Sequence, residues 1–544
     1  MKKRMLAALL ASVTIVSLLS GCGSSETAET TQQAKRQEAT EAAAAVTGEI
    51  SYPMADGGNF TYWCELNTTV SPNFSNLGET PFAWNWMEKT GATIEFMHPP
   101  VGQVKEQFSL IVADGNLPDL MEYNWITDYP GGPEKAIKDG VIISLNDVFE
   151  KYCPNLMKYL EEHPEVDKMI KTDDGNYYTF PFIRGDQKMR YNTGLMLRQD
   201  WLDELGLEVP TTIDEWHTVL TAFRDEKGAT APFTYEYTNA SLYAADPFVY
   251  AYGIDRGFYV GSDGKVHYGA AEDGYEGYLT TMKQWYEEKL IDPDLATMGF
   301  DQVNAKMTNG SAGASVGYAG GRIGVWTPAA RVNTPEYTLT PAPYPTLNEG
   351  DYPEFGQMDN PCRPSVAITT SCKDVEKAAR LMDYGYSEEG HMAFNFGIEG
   401  ESFEIIEGYP TYTDIVMENP NGLPISQAMA TYIRGNYNGP FVQDLRYLEQ
   451  YYTLDEQKAT LDVWGGTNAI NHVLPPVTPT SEESREFASI MNEVNTYRDE
   501  MTLKFILGTA ELSEFDTYVE NLKKMGLDRA LEIQNAALER YNAR

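Results

Sequence analysis

Histidine, cysteine and basic residues are scarce in this 544-residue chain. Six histidines lie far apart, at 98, 163, 217, 267, 391 and 472, and the five cysteines include no Cys-x-x-Cys pair. So few cysteines in such a length exclude a disulfide-built scaffold, and the lack of any His/Cys cluster argues against a structural zinc. Lys plus Arg number 41 against 80 Asp plus Glu, a formal charge of −39 that becomes −42 once Lys2, Lys3 and Arg4 are set aside. A surface of that sign repels phosphate backbones and anionic headgroups, so the reading is of no nucleic-acid partner and no electrostatic docking on membranes. No apolar run after residue 22 approaches the ~20 residues that span a bilayer, which excludes transport through the chain itself. Enzyme signatures are thin as well: there is no His-Glu-x-x-His, and Gly310-Ser311-Ala312-Gly313 lacks the spacing of a nucleophile elbow. A glycosidase needs only two carboxylates about 5 to 9.5 Å apart, and a chain this rich in acids leaves that pair open.

Hydrophobic residues make up 42% of the chain and aromatics 12%, enough for real cores. The length exceeds the roughly 250–300 residues at which one core splits, so two lobes are expected. Lys2, Lys3 and Arg4 precede an apolar stretch from Met5 to Leu19, the pattern of a signal peptide over residues 1–21. Leu19-Ser20-Gly21-Cys22 resembles the bacterial lipobox, which makes Cys22 the lipidated first residue of the mature chain. Acyl chains there hold the protein to the membrane, each buried CH₂ contributing ~0.8 kcal/mol, on the outer face of the cell. Residues 22–48 then form a linker of Ser, Thr, Glu, Gln and Ala, too poor in branched and aromatic residues to fold.

Beyond the linker, strand-like and helix-like segments alternate. Phe60 to Leu66, Ala92 to Met97 and Asp119 to Tyr123 read as strands, and Pro81 to Lys89 and Val104 to Ala113 as helices. Such alternation predicts the α/β class with open, mainly parallel sheets, whose ligands sit beyond the carboxyl ends of the strands. Longer helical patterns follow late in the chain, over Ser481 to Phe505 and Glu511 to Met525, with Gly526 as a stop. Thr212 with Glu215 reads as a capping box, Asp200 as a cap for Trp201 to Leu205 that Gly206 ends, and Trp201 and Trp216 as core residues.

Several segments in order carry a family likeness. They are Ala113-Asp114-Gly115-Asn116-Leu117-Pro118-Asp119-Leu120; Leu197 to Leu207 with Val209-Pro210-Thr211-Thr212 and Asp214-Glu215-Trp216; Lys289 to Asp294; Met307 to Gly317; and Gly397-Ile398-Glu399-Gly400 with Gly408-Tyr409-Pro410. Behind a lipobox, these resemble extracellular solute-binding proteins of family 1, the sugar-binding class, and Phe505-Ile506-Leu507-Gly508 and Gly526-Leu527-Asp528 resemble their long LipO-like lipoprotein branch. The resemblance implies a two-lobed, type II periplasmic-binding-protein-like fold with a helix-rich C-terminal part. The chain would cross between lobes near Phe182 to Arg184, Asn360 to Pro364 and Tyr409 to Asp414. That puts 50–182 plus 363–410 in lobe one and 183–362 plus 411–544 in lobe two. It implies a monomeric binding protein, not an enzyme, that captures an oligosaccharide and delivers it to the permease subunits of an ATP-driven importer. A non-sugar solute such as a peptide or sugar acid is the alternative, and a secreted glycan-degrading lipoprotein comes after it.

A sugar presents flat C–H faces and a rim of hydroxyls, so its site needs aromatic rings and paired polar groups. Rings in loops or at strand ends are therefore the candidates: Trp63, Tyr123, Trp125, Tyr235, Tyr318, Trp326 and Trp464. Asn124 is placed to bridge two hydroxyls, and Arg184 to offer a planar fork of donors to vicinal hydroxyls or a carboxylate, or else to form an interlobe ion pair with Asp186 or another acid. No metal site or cofactor is expected, although Asp173-Asp174-Gly175-Asn176 and Gly261-Ser262-Asp263-Gly264 leave room for Ca²⁺, as some relatives carry; the bland alternative is a β-turn. Cys362 and Cys372 bracket a strand, too far apart to pair at ~3.3 Å per residue, and Cys64 and Cys153 stay open.

Overall fold

The computed structural model describes residues 51–237, 247–434 and 438–544. The leader, Cys22 and the linker lie outside the described residues. From Tyr52 onward the chain is one compact unit.

Its described strands, in chain order, are β1 (Asn59–Trp63), β2 (Thr93–Met97), β3 (Leu120–Glu122), β4 (Phe180–Arg184), β5 (Thr193–Arg198), β6 (Phe258–Val260) and β7 (Val266–Tyr268). There follow β8 (Ala314–Tyr318), β9 (Leu339–Pro341), β10 (Cys362–Ile368), β11 (Phe403–Ile406), β12 (Tyr409–Tyr412) and β13 (Phe441–Gln443). Six form one sheet in the order β13-β4-β10-β3-β1-β2. There β1 runs parallel to β2 and β3, and β13 to β4, while β10 is antiparallel to both neighbours. The second sheet, β8-β5-β9, is antiparallel throughout. The expected parallel arrangement thus holds for the first sheet alone. Every residue of β5 is buried, the pattern of a strand covered on both faces, and that pattern carries no direction.

Local chemistry sets the helices around these sheets. Thr80 caps Pro81–Thr90 by accepting from the Ala83 N–H at 3.2 Å, and the helix buries Phe82 and Trp86 against Phe394 with ring centroids 5.1 Å apart. The capping box of Ile213–Asp225 forms as expected, with Glu215 N–H donating to Thr212 Oγ1 and Thr212 N–H to Glu215 Oε2, and Trp216 packs edge-on to Phe248. Asp200 does not cap its helix: it is the second residue inside Gln199–Leu205, and Arg198 Nε holds its carboxylate at 2.7 Å; Gly206, at φ 66°, does end it. Gly526, at φ 104°, separates Phe515–Lys524 from Leu527–Ala543.

Two large cores match the two sheets, one under β1–β4 and β10, the other around β5, β8 and β9. The chain leaves the first sheet after β4 and joins the second at β5, then returns between β9 and β10. The third crossing departs from expectation. β13 lies beside β4, and Ala430, Phe441 and Val442 pack in the first core, so the described residues 430–434 and 438–443 go with that sheet and the chain leaves it after Gln443. The Gly-Pro cluster at 408–410 is the tight turn of the β11–β12 hairpin, with Gly408 at φ 84°.

Candidate ligand-binding site

A cavity of about 720 Å³ opens between the lobes. The first lobe lines it with Glu65–Thr68 after β1, and with Glu122 at the end of β3 and Tyr123, Asn124, Ile126 and Thr127 after it; the crossing segment lines it with Asp359, Asn360 and Arg363. Facing them are Leu474 to Val477 and Gln534, the last on Leu527–Ala543. A second cavity of about 370 Å³ shares Asn67 and Thr68 with the first and is walled by Tyr318, Tyr447, Tyr451 and Tyr452. A third, about 350 Å³, shares Asp359, Asn360 and Leu474. Their shared lining residues place the three side by side as one groove region, each within the size range that holds small ligands.

Buried charge stiffens its floor. Glu122 accepts from Tyr62 Oη at 2.6 Å and from Arg434 Nη2 at 2.8 and 3.0 Å, and the two side chains of the pair are 4% and 1% exposed. Burial alone would pull the Arg434 pKa down, but the Glu122 carboxylate reverses this and holds the guanidinium charged. Asp359 pairs with Arg184 and accepts from Asn192 Nδ2 at 2.8 Å, while Arg184 Nη1 donates to the Asn360 carbonyl at 3.0 Å. Two side-chain carbonyls on the walls, Asn360 Oδ1 and Gln534 Oε1, are buried without a hydrogen-bond donor among the described residues. Each is an acceptor awaiting a donor.

The structure brings three of the sequence-derived candidates to the groove. Tyr123 is half-buried on the first cavity, its ring 5.7 Å from Trp63 and 4.5 Å from Phe108, and burial followed by Asp128 pushes its hydroxyl up to about 12. Asn124 is exposed beside it, and its Oδ1 accepts from Ile126 N–H at 3.1 Å, which shapes the loop. Tyr318 lies on the second cavity. Arg184 sits behind the wall, paired with Asp359 rather than Asp186, whose carboxylate caps Lys188 N–H instead.

The remaining candidates are core residues. Trp63 is 2% exposed, and Trp125 packs on Phe108 and Tyr129. Trp326 Nε1 donates to Asn304 Oδ1 at 2.7 Å, Trp464 Nε1 donates to the Leu195 carbonyl at 3.1 Å, and Tyr235 packs against Phe233. None of these five rings has an open face for a ligand. Sequence reasoning missed Tyr447 and Tyr451 on the helix Leu445–Tyr451 that follows β13, Tyr452 just beyond it, and the amides Asn67, Asn360 and Gln534. Gly320 belongs with them: a Cβ there would lie 2.6 Å from the Tyr451 ring, so glycine lets that ring approach the backbone.

Other expectations resolve simply. Gly313-Ala314-Ser315-Val316-Gly317 has a Gly-x-Ser-x-Gly spacing that sequence reasoning overlooked, but Ser315 is fully buried inside β8, not raised on an elbow. Both loops considered for Ca²⁺ are turns, Thr172–Gly175 and Gly261–Gly264, each closed by an N–H···O bond of 2.9 Å. Among the described residues no three His, Cys, Asp or Glu side chains gather to hold a metal. Cys64, Cys153, Cys362 and Cys372 are buried free thiols.

The groove is walled by residues packed around both sheets, a geometry suited to holding a ligand between them. The chain belongs to the bacterial extracellular solute-binding protein family, whose model matches residues 74–392. It is 26% identical over 469 residues to the fructooligosaccharide ABC transporter substrate-binding protein FusA of Streptococcus pneumoniae, covering 80% of this chain and 83% of that one. It is 23% identical over 455 residues to lipoprotein LipO of Bacillus subtilis, covering 80% and 84%. Among solved structures, the alginate-binding protein AlgQ2 without calcium matches with a TM-score of 0.71 at 23% identity, over 90% of this chain and 100% of that one. S. pneumoniae FusA in complex with kestose matches with a TM-score of 0.71 at 24% identity, over 89% and 99%. These fix the fold as type II periplasmic-binding-protein-like.

Proposed function

We propose that this chain is a lipid-anchored substrate-binding protein that captures an oligosaccharide outside the cell and presents it to the permease of an ATP-driven importer. The observation that carries the reading is the groove: Tyr123 at one end, four tyrosines at the other, and Asn67 and Thr68 common to both cavities. Ring faces stack on sugar C–H surfaces, and amides and hydroxyls meet the rim. An elongated run of cavities suits a chain of sugar units rather than one ring. The sugar-binding relatives named above agree with it. A ligand touching both walls stabilises the closed arrangement of the lobes, and the permease would recognise that arrangement. Glu122 and Asp359 are each consumed by a guanidinium, which argues against either serving as a glycosidase acid.

Calorimetric titration of the purified protein with a panel of short oligosaccharides, followed by chromatography after prolonged incubation, tests this. Saturable binding with the sugar recovered intact is the expected result. Accumulating hydrolysis products, or binding confined to peptides, would refute it. Labelled palmitate should enter the wild type in cells and not Cys22→Ala; label on the variant would remove the proposed anchor.

A further inference from the structure

We infer that the groove selects uncharged oligosaccharides and turns away uronate or sulfated chains of the same length. This rests on the oligosaccharide reading above and narrows its substrate class. The second cavity is lined by tyrosines, glycines, amides, hydroxyls and aliphatic side chains, with no carboxylate or cation among its lining residues. A charged sugar unit entering it would lose its water without gaining a counter-charge, which is costly.

The first cavity carries charge, but of the wrong sign for an anion. Glu65, Glu122 and Asp359 line it against one cation, Arg363, and Arg363 already stands 3.5 Å from Asp359. The two arginines behind the walls, Arg184 and Arg434, are committed to Asp359 and Glu122. Glu65 is exposed on the wall and has no ion-pair partner among the described residues. The third cavity adds Asp255 and His472, and the ring nitrogens of His472 are already engaged by the Val260 carbonyl and Glu354. Residues 238–246 and 435–437, which are not described, contain no Lys, Arg or His in their sequence and supply no missing cation.

The unpartnered groups agree with the charge. Asn360 Oδ1 and Gln534 Oε1 are acceptors, and Gln534 is 6% exposed. A sugar hydroxyl can donate to them, whereas an ionised carboxylate can only accept and would meet oxygen with oxygen. At long range, a formal charge of −39 repels polyanions before they reach the groove.

The test pairs ligands that differ only in charge: an oligogalacturonate and the same oligomer with its carboxyls reduced to alcohols, together with neutral fructo-, gluco-, galacto- and manno-oligosaccharides and alginate oligomers. Each is titrated calorimetrically into the purified protein at low and high NaCl. We expect the bound ligands to come from the neutral set, with uronates at least about tenfold weaker. The neutral affinity should change by less than about twofold between about 0.05 and 0.5 M NaCl, since no exposed ion pair forms that salt could screen. A uronate bound as tightly as its reduced partner, or an affinity that collapses in salt, would overturn the inference while leaving the oligosaccharide reading intact. Binding of no sugar from either set would sink that reading and this inference with it.

Discussion

Replacing Glu122 by Gln keeps the shape of the site and removes one charge, which isolates the buried pair under the groove. Arg434 would then be an uncompensated guanidinium at 1% exposure, in a site whose counter-charge comes from that one carboxylate. Breaking a buried pair from one side costs about 3–5 kcal/mol, because the remaining charge has lost its water and gained nothing. Removing the whole unit should behave differently. In Tyr62→Phe/Glu122→Leu/Arg434→Met no polar group is stranded, and replacing a buried pair by apolar side chains is commonly neutral or stabilising. Including Tyr62 matters because its hydroxyl donates to Glu122 at 2.6 Å and would otherwise be left unsatisfied at a cost of about 1–3 kcal/mol. Urea denaturation followed by tryptophan fluorescence reads both, with extrapolation to zero denaturant. The single variant should lose about 3–5 kcal/mol and the triple at least half less than that. A Glu122→Gln protein within about 1 kcal/mol of wild type, or a triple variant as damaged as the single one, would show that the pair is not charged and desolvated as described.

Three further outcomes follow from other parts of the molecule. Gly320→Ala puts a Cβ 2.6 Å from the Tyr451 ring without any positive-φ strain, so the ring must move; we expect oligosaccharide affinity to fall by about tenfold, and unchanged calorimetric affinity would refute Tyr451 as part of the site. Asp444 is partly buried, which would raise its pKa, but His391 and Arg446 hold it well below the carboxylate range, so its contribution to stability is present above about pH 4 and lost as pH falls further. Asp444→Asn should therefore be less stable than wild type at pH 6, by a gap that shrinks as pH falls below about 4 yet is still open near pH 3, where the folded carboxylate stays ionised, read by denaturant midpoints; a gap that stays constant down to about pH 2 would contradict the assignment. Asp173 of the first lobe accepts at 2.7 Å from Nε of Arg540, on the helix that also carries Gln534, and at 2.5 Å from Nη2 of Arg544 just past that helix. Arg540 is partly exposed but the Arg544 side chain is buried, so Asp173→Asn should cost about 1–3 kcal/mol in stability, and because it loosens the lobes it should weaken ligand binding by about three- to tenfold. Identical affinity together with an identical small-angle scattering profile would dismiss the latch.

How much of this was legible in the sequence depended on which physical signal each feature rests on. Caps and stops are local, so Thr212 with Glu215, Gly206 and Gly526 read correctly, while Asp200 did not, because its partner Arg198 competes for the same carboxylate. Large rings failed as a group for a different reason. A tryptophan gains most from complete burial, and Trp125, Trp326 and Trp464 satisfy it in the cores whichever element they follow. What did locate the site was position. Asn67 and Thr68 follow β1, Tyr123 and Asn124 follow β3, Tyr318 ends β8 with Gly320 just beyond, and Tyr447 comes four residues after β13. The rule that ligands sit past the carboxyl ends of strands therefore names one wall of the groove once the strands are known, but not Asp359 and Asn360 ahead of β10, nor Leu474 to Val477 and Gln534. It was incomplete on sequence because β13 is three residues long, too short to show a period, and the nearby Gly-Pro cluster at 408–410 drew the third crossing away from it. Strand-end polar residues deserve more weight than strand-end tryptophans in such a chain, since an amide or a tyrosine keeps a polar atom that must be met by something, and in this groove two such atoms are still waiting.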